Sequence, residues 1–405
     1  MFKRIGIEAL AMTSAIALLG LPAIARAETL LYSFHKAIDN GRTPLAHLHL
    51  DQRTGVLYGT TEKGGEYRFG TLFKLVQYNG IWEETVLHSF AGNSGGAFPQ
   101  AGVYEDSTGA LYGTTEEGGI RNGGTAFKLT PSGGSWNYEV LHSFGGGNTD
   151  GSHPFANLIQ DPTTSVFYGT TYNGGAQNCG VVFQLSRSGQ TWNESILYSL
   201  GGSSGCNPQT PLRQDSLGNL YGTTIADGQY GYGNVYQLTQ GNNGAWSQTV
   251  LHNFSGGSDG EYGGELDIDP AGTLYGVTFA GGLHGDGTIY DLIKNGGSWK
   301  ETVLYSFAGG STDGSDPYGI HEDANTGALY GSTETGGSSN DGTLFQLTQS
   351  GGHWTESVIH YFSGRPGDGA LPQAGPAVDD KSHVLYGTTV EGGSYNLGSV
   401  YSQVF

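Results

Sequence analysis

The sequence has few charged side chains, and basic residues are the scarcest of them. Only 13% of its 405 residues are charged, and 17 Lys and Arg stand against 37 Asp and Glu, so the formal net charge is −20. Nucleic-acid binding needs clustered cations that face phosphates, and this balance argues against it. The sequence also lacks a Ser nucleophile elbow, a zinc-spaced His cluster, a Gly-rich phosphate loop and a dinucleotide fingerprint. No reaction class therefore follows from a motif.

Glycine occupies 72 positions, which in a chain with few large side chains would indicate disorder. However, the 24 Tyr, 17 Phe and 6 Trp are too many for a chain that buries no core. The glycines are therefore expected at turns between short strands, and the composition predicts a turn-rich β protein.

The first 27 residues differ from the rest of the chain. A short basic start at Lys3 and Arg4 precedes the largely apolar stretch 9–24, and Ala25 and Ala27 then frame a cleavage site. This order is that of a secretory signal peptide, and a buried N-terminal helix is the alternative. No apolar tail ends the chain. We expect residues 1–27 to be removed and residues 28–405 to be secreted or periplasmic, with no membrane span.

One five-residue motif recurs along residues 28–405. Leu57 begins LYGTT, and close variants return six more times with tyrosines 53–56 residues apart. The seven tyrosines are Tyr58, Tyr112, Tyr168, Tyr221, Tyr275, Tyr330 and Tyr386. Seven repeats of about 54 residues leave no room for a second domain.

Each repeat holds four short runs with the alternation of a β-strand. The first follows Pro or Gly and ends at Asp, as in 44–51 and 154–161, and the second is the LYGTT run. The third is a GT-x-F-K/Q-L run, and the fourth begins at Trp and ends at Phe or Leu, as in 82–90. Gly-rich turns separate the runs. This pattern predicts an all-β fold, a seven-bladed β-propeller with four-stranded blades.

The two ends of the repeat region complement each other. Residues 28–34 match the fourth run of a repeat, as in 301–307, whereas the last repeat stops at Phe405 after its third run. We therefore expect the N-terminal strand to complete the last blade and close the ring, which removes an exposed sheet edge. The split blade lacks a Trp-led run, so six tryptophans would serve seven blades. A linear solenoid, the alternative, needs capping repeats rather than complementary ends.

The repeats resemble the GloVer, or Gloeo-Verruco, tandem repeat. The residues that carry the resemblance are LYGTT-x-x-GG followed by GT-x-F-K/Q-L, as in 57–75 and 111–129, and it covers essentially all of 28–405. The family is recognised chiefly by export and sorting signals, so the resemblance implies an exported protein and brings no catalytic residues. Members with a C-terminal sorting anchor are surface-associated. This sequence shows no such anchor, which favours release or a periplasmic location.

Comparison of the repeats separates shared positions from variable ones. The motif tyrosines, the Gly-Gly pairs and the tryptophans recur, and we expect them to be scaffold. We expect the same of the Asp-Gly turns, in which the Asp side chain hydrogen-bonds the backbone of its own turn. These turns are Asp150-Gly151, Asp259-Gly260, Asp313-Gly314 and Asp368-Gly369. A ring of calcium sites is the alternative, but each turn offers only one or two carboxylates, without calcium-loop spacing. We expect no cofactor and no metal site.

Cations are unevenly placed in the loops after the second and fourth strands, which share one face of a propeller. Six of them fall in the loop that leads into the last repeat or in the first two repeats, which become neighbours when the ring closes. This basic sector consists of Lys36, Arg42, Lys63, Arg68, Arg121 and Arg365. The equivalent loops of the middle repeats carry acidic residues, namely Asp227, Glu261, Asp286, Asp316 and Asp341.

The basic sector suits a carboxylated or sulfated glycan, because Arg binds a carboxylate with two hydrogen bonds. The alternative is neutralisation of nearby acidic residues by surface pairs worth ~0–1 kcal/mol each. Those acidic residues are Glu62, Glu66, Glu116 and Glu117.

Two enzyme activities fit the same face. A glycoside hydrolase needs two carboxylates about 5–9 Å apart. Candidates at near-equivalent positions after the LYGTT-type motif are Glu62, Glu116, Glu334 and Glu391. A polysaccharide lyase needs a base, for which His35 or Tyr67 is a candidate, and a cation that neutralises the uronate. Arg42 or Arg68 fits the second role.

The sequence thus favours an exported, monomeric binding module for an extracellular acidic glycan. A carbohydrate-active enzyme is the second interpretation, and a structural surface protein is the third. One disulfide is also predicted. Cys179 and Cys206 are the only two cysteines, both fall in loops of the same face, and export permits their oxidation.

Overall fold

The computed structural model describes residues 28–37 and 39–405, so the predicted signal peptide lies outside the described residues. Seven four-stranded antiparallel sheets follow one another along the chain, and a central cavity is lined by residues of all seven. The protein is therefore an all-β, seven-bladed β-propeller, as the sequence predicted. We number the blades 1 to 7 in chain order, beginning with the blade of Tyr58, and count the strands of each blade from the channel outward.

The strands recur in the same order in each blade. The innermost strands are His49–Asp51, Tyr104–Glu105, Ile159–Gln160, Arg213–Gln214, Glu261–Ile268, Gly314–Glu322 and Ala377–Asp379. The second strands are Val56–Thr61, Leu111–Thr115, Phe167–Thr171, Leu220–Thr223, Leu274–Ala280, Leu329–Gly336 and Val384–Thr389. The third strands are Thr71–Tyr78, Thr125–Ser132, Val181–Ser188, Asn234–Gln240, Thr288–Asn295, Thr343–Ser350 and Ser399–Val404. The outermost strands are Ile81–Ser89, Ser135–Ser143, Thr191–Ser199, Trp246–Asn253, Ser298–Ser306, His353–Tyr361 and, for blade 7, Thr29–Ser33.

Smaller elements lie on the face formed by the loops after the second strands. Two-stranded ladders pair Gly41–Arg42 with Lys63–Gly64, Gly151–Ser152 with Asn173–Gly174, and Gly369–Ala370 with Glu391–Gly392. Two 3₁₀ turns, Asn93–Gly95 and Gly202–Ser204, are the only helical elements in the described part of the chain. No helix there is long and apolar enough to cross a membrane.

The N-terminal strand closes the ring. Thr29–Ser33 pairs antiparallel with Ser399–Val404, the third strand of blade 7, and Thr29 lies opposite Ser402. The following Phe34 is fully buried and contacts Phe73 of blade 1, with ring centroids 5.2 Å apart. The predicted closure is confirmed, and no outer edge of blade 7 is left unpaired.

Each residue of the LYGTT motif has a separate structural role. The Tyr58 ring packs against Trp136 of the next blade, with centroids 6.5 Å apart. The first threonine, Thr60, donates its hydroxyl to the Ala101 carbonyl of the next blade at 2.7 Å. The second, Thr61, bonds the Thr71 hydroxyl of its own third strand at 2.8 Å. The bond to the next blade recurs at most junctions, as between Thr114 and the Ala156 carbonyl, although the Thr170 hydroxyl of blade 3 has no such partner and blade 5 has Val277 at this position.

The innermost strands are shorter than the sequence predicted. Backbone pairing covers His49–Asp51 rather than 44–51, and Ile159–Gln160 rather than 154–161. The preceding residues line the channel, and their carbonyls bond the neighbouring blade instead of their own second strand. Thus the Ala46 carbonyl accepts the Thr388 hydroxyl at 3.0 Å. This bond joins two different blades, so it cannot be formed within a single repeat.

The predicted disulfide is present. Cys179, in the loop after the second strand of blade 3, is bonded to Cys206, in the connection into blade 4, with Cα atoms 4.5 Å apart. Within the described residues no free cysteine remains. The bond therefore joins two neighbouring blades on the face of the channel mouth.

Candidate functional site

The central channel opens through an upper chamber of about 200 Å³ on the face of the loops after the second strands. Its wall contains half-buried aromatic rings and amide side chains from six blades. They are Gln100, Phe155, Gln209, Phe279, Tyr318 and Gln373. Four of them precede the innermost strands of their blades, Tyr318 lies within such a strand, and Phe279 lies near the end of a second strand. Blade 1 adds Leu45, Ala46 and His47, so all seven blades contribute to one concave surface.

The aromatic rings of the chamber are held in pairs. Phe155 contacts Tyr172 edge-on, with centroids 5.2 Å apart, and Phe279 contacts Tyr318 at 4.9 Å. Paired rings keep their orientation, and they remain half-buried with apolar area facing the chamber. Two sides of the chamber thus offer flat apolar platforms.

The amides of the chamber differ in how far they are already bonded. Gln373 donates to the Glu334 carboxylate at 2.6 Å, and Gln100 donates to Glu116. By contrast, the side chains of Gln209 and Asn157 make no hydrogen bond to any described residue. Each therefore has both an N–H donor and a carbonyl acceptor free for a ligand.

A chain of charged side chains forms the floor of the upper chamber. His47 Nε2 of blade 1 lies 2.5 Å from Glu265 Oε2 of blade 5, across the channel. The other oxygen of Glu265 accepts from Arg213 of blade 4 at 2.9 Å. Arg213 also contacts Asp267 at 3.3 Å, and Asp267 contacts Nδ1 of His321 at 3.3 Å. Blades 1, 4, 5 and 6 are thereby connected through their channel-facing side chains.

The carboxylates of this floor are charged. Burial of Glu265 disfavours its ionised form, but His47 and Arg213 outweigh burial and hold the pKa of its carboxyl below the usual range. Asp267 is also buried, yet His321 and Arg213 lower its pKa to about 2. A buried charge network of this kind is strongly destabilised when one member is removed, because the others lose their partner.

Glycines of the neighbouring blades leave space for the floor. A Cβ atom added to Gly319 of blade 6 would lie 2.6 Å from Glu265 Oε2. One added to Gly375 of blade 7 would lie 3.0 Å from the ring of His47. These glycines occupy the same position of their blades as the two floor residues do in theirs. The absence of a side chain at Gly319 and Gly375 therefore leaves room for His47 and Glu265 to meet across the channel.

The sequence analysis missed this floor, although the sequence carried a signal for it. The position of His47 is not constant among the blades: three have Gly there and the others have Asn, Pro or Glu, namely Gly102, Asn157, Pro211, Glu265, Gly319 and Gly375. Departure from the repeat marks a position free to specialise. In the channel strands this departure marks the charged floor.

The basic sector lies outside the chamber, on the same face. Arg42 and Lys63 are directly opposite each other in the ladder Gly41–Arg42 with Lys63–Gly64. Lys63 forms an ion pair with Glu62 at 2.9 Å. The other five cations of the basic sector form no ion pair to a described residue. Arg42 is half-buried among them, and its Nε is unbonded. The exposed four are Lys36, Arg68, Arg121 and Arg365.

Arg68 shares the backbone conformation of its equivalents in the other blades but departs from them in residue type. Its φ is 70°, in the left-handed region that favours Gly and Asn. The other six blades have Gly or Asn there, namely Asn122, Asn178, Gly231, Gly285, Asn340 and Asn396. Asn122, for example, accepts a hydrogen bond from the Gly118 N–H at 3.0 Å, which Arg68 cannot do. Backbone strain of this kind is found at functional positions.

The catalytic candidates are spread over the face and only partly brought together. The charges of Glu117 and Glu62 add to burial in raising the pKa of Glu116, so Glu62 lies within electrostatic range of Glu116. Tyr67 is 47% exposed at a loop tip. His35 lies 5.9 Å, ring to ring, from Tyr395, at the outer side of the junction between blades 7 and 1. A base paired with a uronate-binding cation is therefore not assembled in the chamber from these residues.

Glu391 lies one position further from its motif than the other three candidate carboxylates. The residue after the motif in blade 7 is Val390, and Glu391 is an exposed residue of the ladder with Gly369–Ala370. Glu334, by contrast, does occupy the position equivalent to Glu116, and each is bonded by a glutamine of the chamber. The two lie in blades 6 and 2, which are not neighbours in the ring.

The Asp-Gly turns bond as the sequence predicted, and they also meet a residue that it missed. Asp150 accepts from the Gly145 and Gly151 N–H groups, each at 2.7 Å, and contacts His142 Nε2 at 3.2 Å. Glu194 of the next outermost strand approaches the same cluster. Equivalent glutamates, each with one buried oxygen that lacks a hydrogen-bond partner, are Glu28, Glu84, Glu194, Glu301 and Glu356.

The fold and its channel define the class: a seven-bladed propeller with an open upper chamber and a charged floor. The family model of the Gloeobacter/Verrucomicrobia repeat matches residues 22–164 and 162–401. The chain belongs to this repeat family, as the LYGTT motif indicated. No curated protein matches the sequence.

Solved structures with the same fold are distant in sequence. The extracellular domain of a proposed one-component system from B. thetaiotaomicron has a TM-score of 0.57 at 12% identity, over 93% of this chain and 41% of that one. A protein from Lactobacillus plantarum has a TM-score of 0.55 at 15% identity, over 82% and 88%. A proposed 6-phosphogluconolactonase from Bacteroides uniformis has 0.52 at 14%, also over 82% and 88%. At these identities the likeness concerns the fold alone.

Proposed function

We propose that this protein is an exported binding module for an extracellular acidic glycan, which it binds at the upper chamber and the adjoining basic sector. The observation that carries the proposal is the combination of aromatic platforms with free amides in one concave site. A sugar ring has apolar C–H faces, which can pack against Phe155 and Phe279. Its peripheral hydroxyl groups can hydrogen-bond the free amide of Gln209.

The basic sector supports an acidic rather than a neutral glycan. Arg42 lies opposite Lys63, the residue that follows Glu62, in a ladder on the face of the chamber mouth. The Nε of Arg42 has no hydrogen-bond partner among the described residues. Arg68 occupies a strained backbone position without forming an ion pair to a described residue. The protein carries a formal charge of −20, so its overall field repels an anion. Affinity must therefore come from short-range contacts of these side chains.

Export is part of the proposal and is supported by two features. The sequence begins with the anatomy of a signal peptide. The Cys179–Cys206 bond is of a kind that persists in oxidising compartments.

Binding to a panel of acidic and neutral polysaccharides tests the proposal. We expect an acidic polysaccharide to bind, and to remain bound at ionic strength where the Debye length is ~8 Å. Arg42→Ala should weaken binding severalfold. Lys294→Ala, on the hairpin side of blade 5, is the matched control and should bind as the wild type does. Absence of binding, or equal losses in both variants, would contradict the proposal.

The same panel addresses the enzyme alternative. Each polysaccharide is also assayed for new reducing ends and for unsaturated uronates after prolonged incubation. A binding module leaves both at background, whereas a hydrolase forms the first and a lyase forms both. Glu116→Gln, which removes the carboxyl with the raised pKa, serves as the control for any activity observed.

A further inference from the structure

The upper chamber is closed at its lower end. A second cavity of about 230 Å³ lies beneath it in the channel. Both cavities are lined by His47, Asn157, Pro211 and Glu265, so these four residues form the partition between them. His47 and Glu265 are bonded across the channel from blades 1 and 5. A polymer that enters the mouth therefore cannot pass through the ring.

The partition is held firmly in place. Glu265 is 5% exposed and accepts from Arg213, which is held in turn by Asp267. Asp267 accepts from the backbone N–H of Glu322 at 3.0 Å, so the network ends on blade 6. Movement of one floor side chain would leave a buried charge without its partner, which is strongly unfavourable. The chamber is thus a fixed recess with one opening.

The size of the recess matches one sugar ring better than several. Pockets that enclose drug-sized ligands measure roughly 300–1,000 Å³. The upper chamber, at about 200 Å³, is smaller than this range. An internal segment of a chain would also have to enter and leave through the same opening, which a recess of this size does not allow.

The chemistry of the recess favours an uncharged ring. Glu265 on its floor is already paired with His47 and Arg213, and the carboxyl groups of Glu116 and Glu334 lie behind the two bonded glutamines. Among the described lining residues no unpaired cation is left for a sugar carboxylate, whereas sugar hydroxyls can bond neutral amides. Asn157 and Gln209, of blades 3 and 4, supply these free amides. The cations that suit acidic groups lie outside the mouth.

We infer that the upper chamber binds the terminal residue of the glycan end-on, and that this residue is uncharged while acidic residues further along the chain lie over the basic sector. This inference rests on the proposed function, and it adds the part of the ligand that is recognised. The ligand class is accordingly an acidic glycan chain with a neutral end.

A chain-end experiment tests the inference. The polysaccharide that binds best in the panel is cleaved next to its neutral sugars to about one tenth of its mean length, so that each cleavage creates a chain end with a neutral residue, and both preparations compete with a labelled oligosaccharide. End-on binding predicts that the mass concentration needed for half-displacement falls about tenfold, because ends per unit mass rise tenfold. Binding to internal segments predicts no change per unit mass, and that result would overturn the inference.

Variants separate failure of the inference from failure of the proposed function. Phe155→Ala should weaken binding of both preparations. If it does and half-displacement does not shift with length, end recognition is wrong and the chamber still binds glycan. If no polysaccharide binds, or if Phe155→Ala has no effect, the proposed function fails and this inference fails with it.

A further variant tests the recess itself. Asn157→Ala removes an amide that has no described hydrogen-bond partner, so the fold loses no internal bond. We expect at least fivefold weaker binding and an unchanged melting temperature. Asn137→Ala, an exposed amide of the blade 2 outermost strand, is the matched control and should bind as the wild type does. Equal affinity of all three proteins would contradict a ligand that reaches the floor.

Discussion

Phe405 packs against Tyr330 with ring centroids 4.3 Å apart, at the junction of blades 6 and 7. At the other six junctions of the described ring, a tryptophan of the following blade contacts the motif tyrosine. The Trp82–Tyr386 pair, which joins blades 1 and 7, is one of them, at 6.2 Å. Blade 7 takes its outermost strand from the N-terminal segment, which has no tryptophan, and a residue after its third strand supplies the missing ring.

Phe405→Ala should therefore destabilise the protein. Phe405 is half-buried, so we expect a loss of about 2 kcal/mol, below the ~3–5 kcal/mol of a fully buried Phe. Phe405→Trp should retain most of the stability, because Trp is the residue that contacts the tyrosine elsewhere in the ring. Thermal unfolding followed by far-UV circular dichroism measures both. An unchanged melting temperature for Phe405→Ala would contradict this role.

Stability should rise as the pH falls from 8 to 6. Burial is the main cause that raises the pKa of Glu84, Glu194, Glu301 and Glu356 to about 7, and of Glu28 to about 9. A carboxyl whose pKa is higher in the folded state stabilises the fold below its unfolded pKa near 4.5, and this contribution is lost as the pH rises through the folded pKa.

Glu194→Gln isolates one of these groups. The amide cannot ionise, so the variant should be more stable than the wild type at pH 8 and by clearly less at pH 5.5, because the difference disappears only below the unfolded pKa near 4.5. Glu83→Gln, an exposed residue of the blade 1 outermost strand, is the control and should change neither value. Melting temperatures across this pH range decide the matter. A wild-type stability that increases toward pH 8 would refute the assignment.

Arg68→Asn should raise stability and lower glycan affinity together. Asn is favoured at a φ of 70° and can bond the Gly64 N–H as its equivalents do in other blades, so we expect a gain of about 1 kcal/mol. Loss of the guanidinium should weaken binding of the acidic polysaccharide severalfold. The reciprocal change Asn122→Arg in blade 2 should destabilise by a similar amount. Stability that falls in Arg68→Asn would show that the arginine supports the fold.

The double variant Cys179→Ser/Cys206→Ser should be less stable. The bond closes a loop of 27 residues, which corresponds to about 3 kcal/mol in the chain-entropy model. Chemical denaturation with and without a reductant provides the measurement, and the reductant should have no effect on the double variant. Equal stability of wild type and variant under oxidising conditions would contradict a structural role for the bond.

The sequence was sufficient for the ring because most blades repeat the same local contacts. The motif Tyr58, the Thr60 hydroxyl and the complementary ends can all be read from spacing. The floor residues could not be found in this way, because His47 and Glu265 lie 218 positions apart and meet only across the closed ring. The upper chamber is hidden for the same reason, since its wall takes one or two residues from each blade. Those residues carry no local pattern.

Isothermal titration of the best-binding polysaccharide into wild type, Phe155→Ala and Phe279→Ala tests the chamber most directly. Both phenylalanines face the recess, so each variant should bind at least tenfold more weakly, which corresponds to about 1.4 kcal/mol. Tyr78→Ala removes an exposed ring from the hairpin at the opposite face and should bind as the wild type does. Unchanged affinity in both phenylalanine variants, or an equal loss in Tyr78→Ala, would contradict glycan binding in the upper chamber.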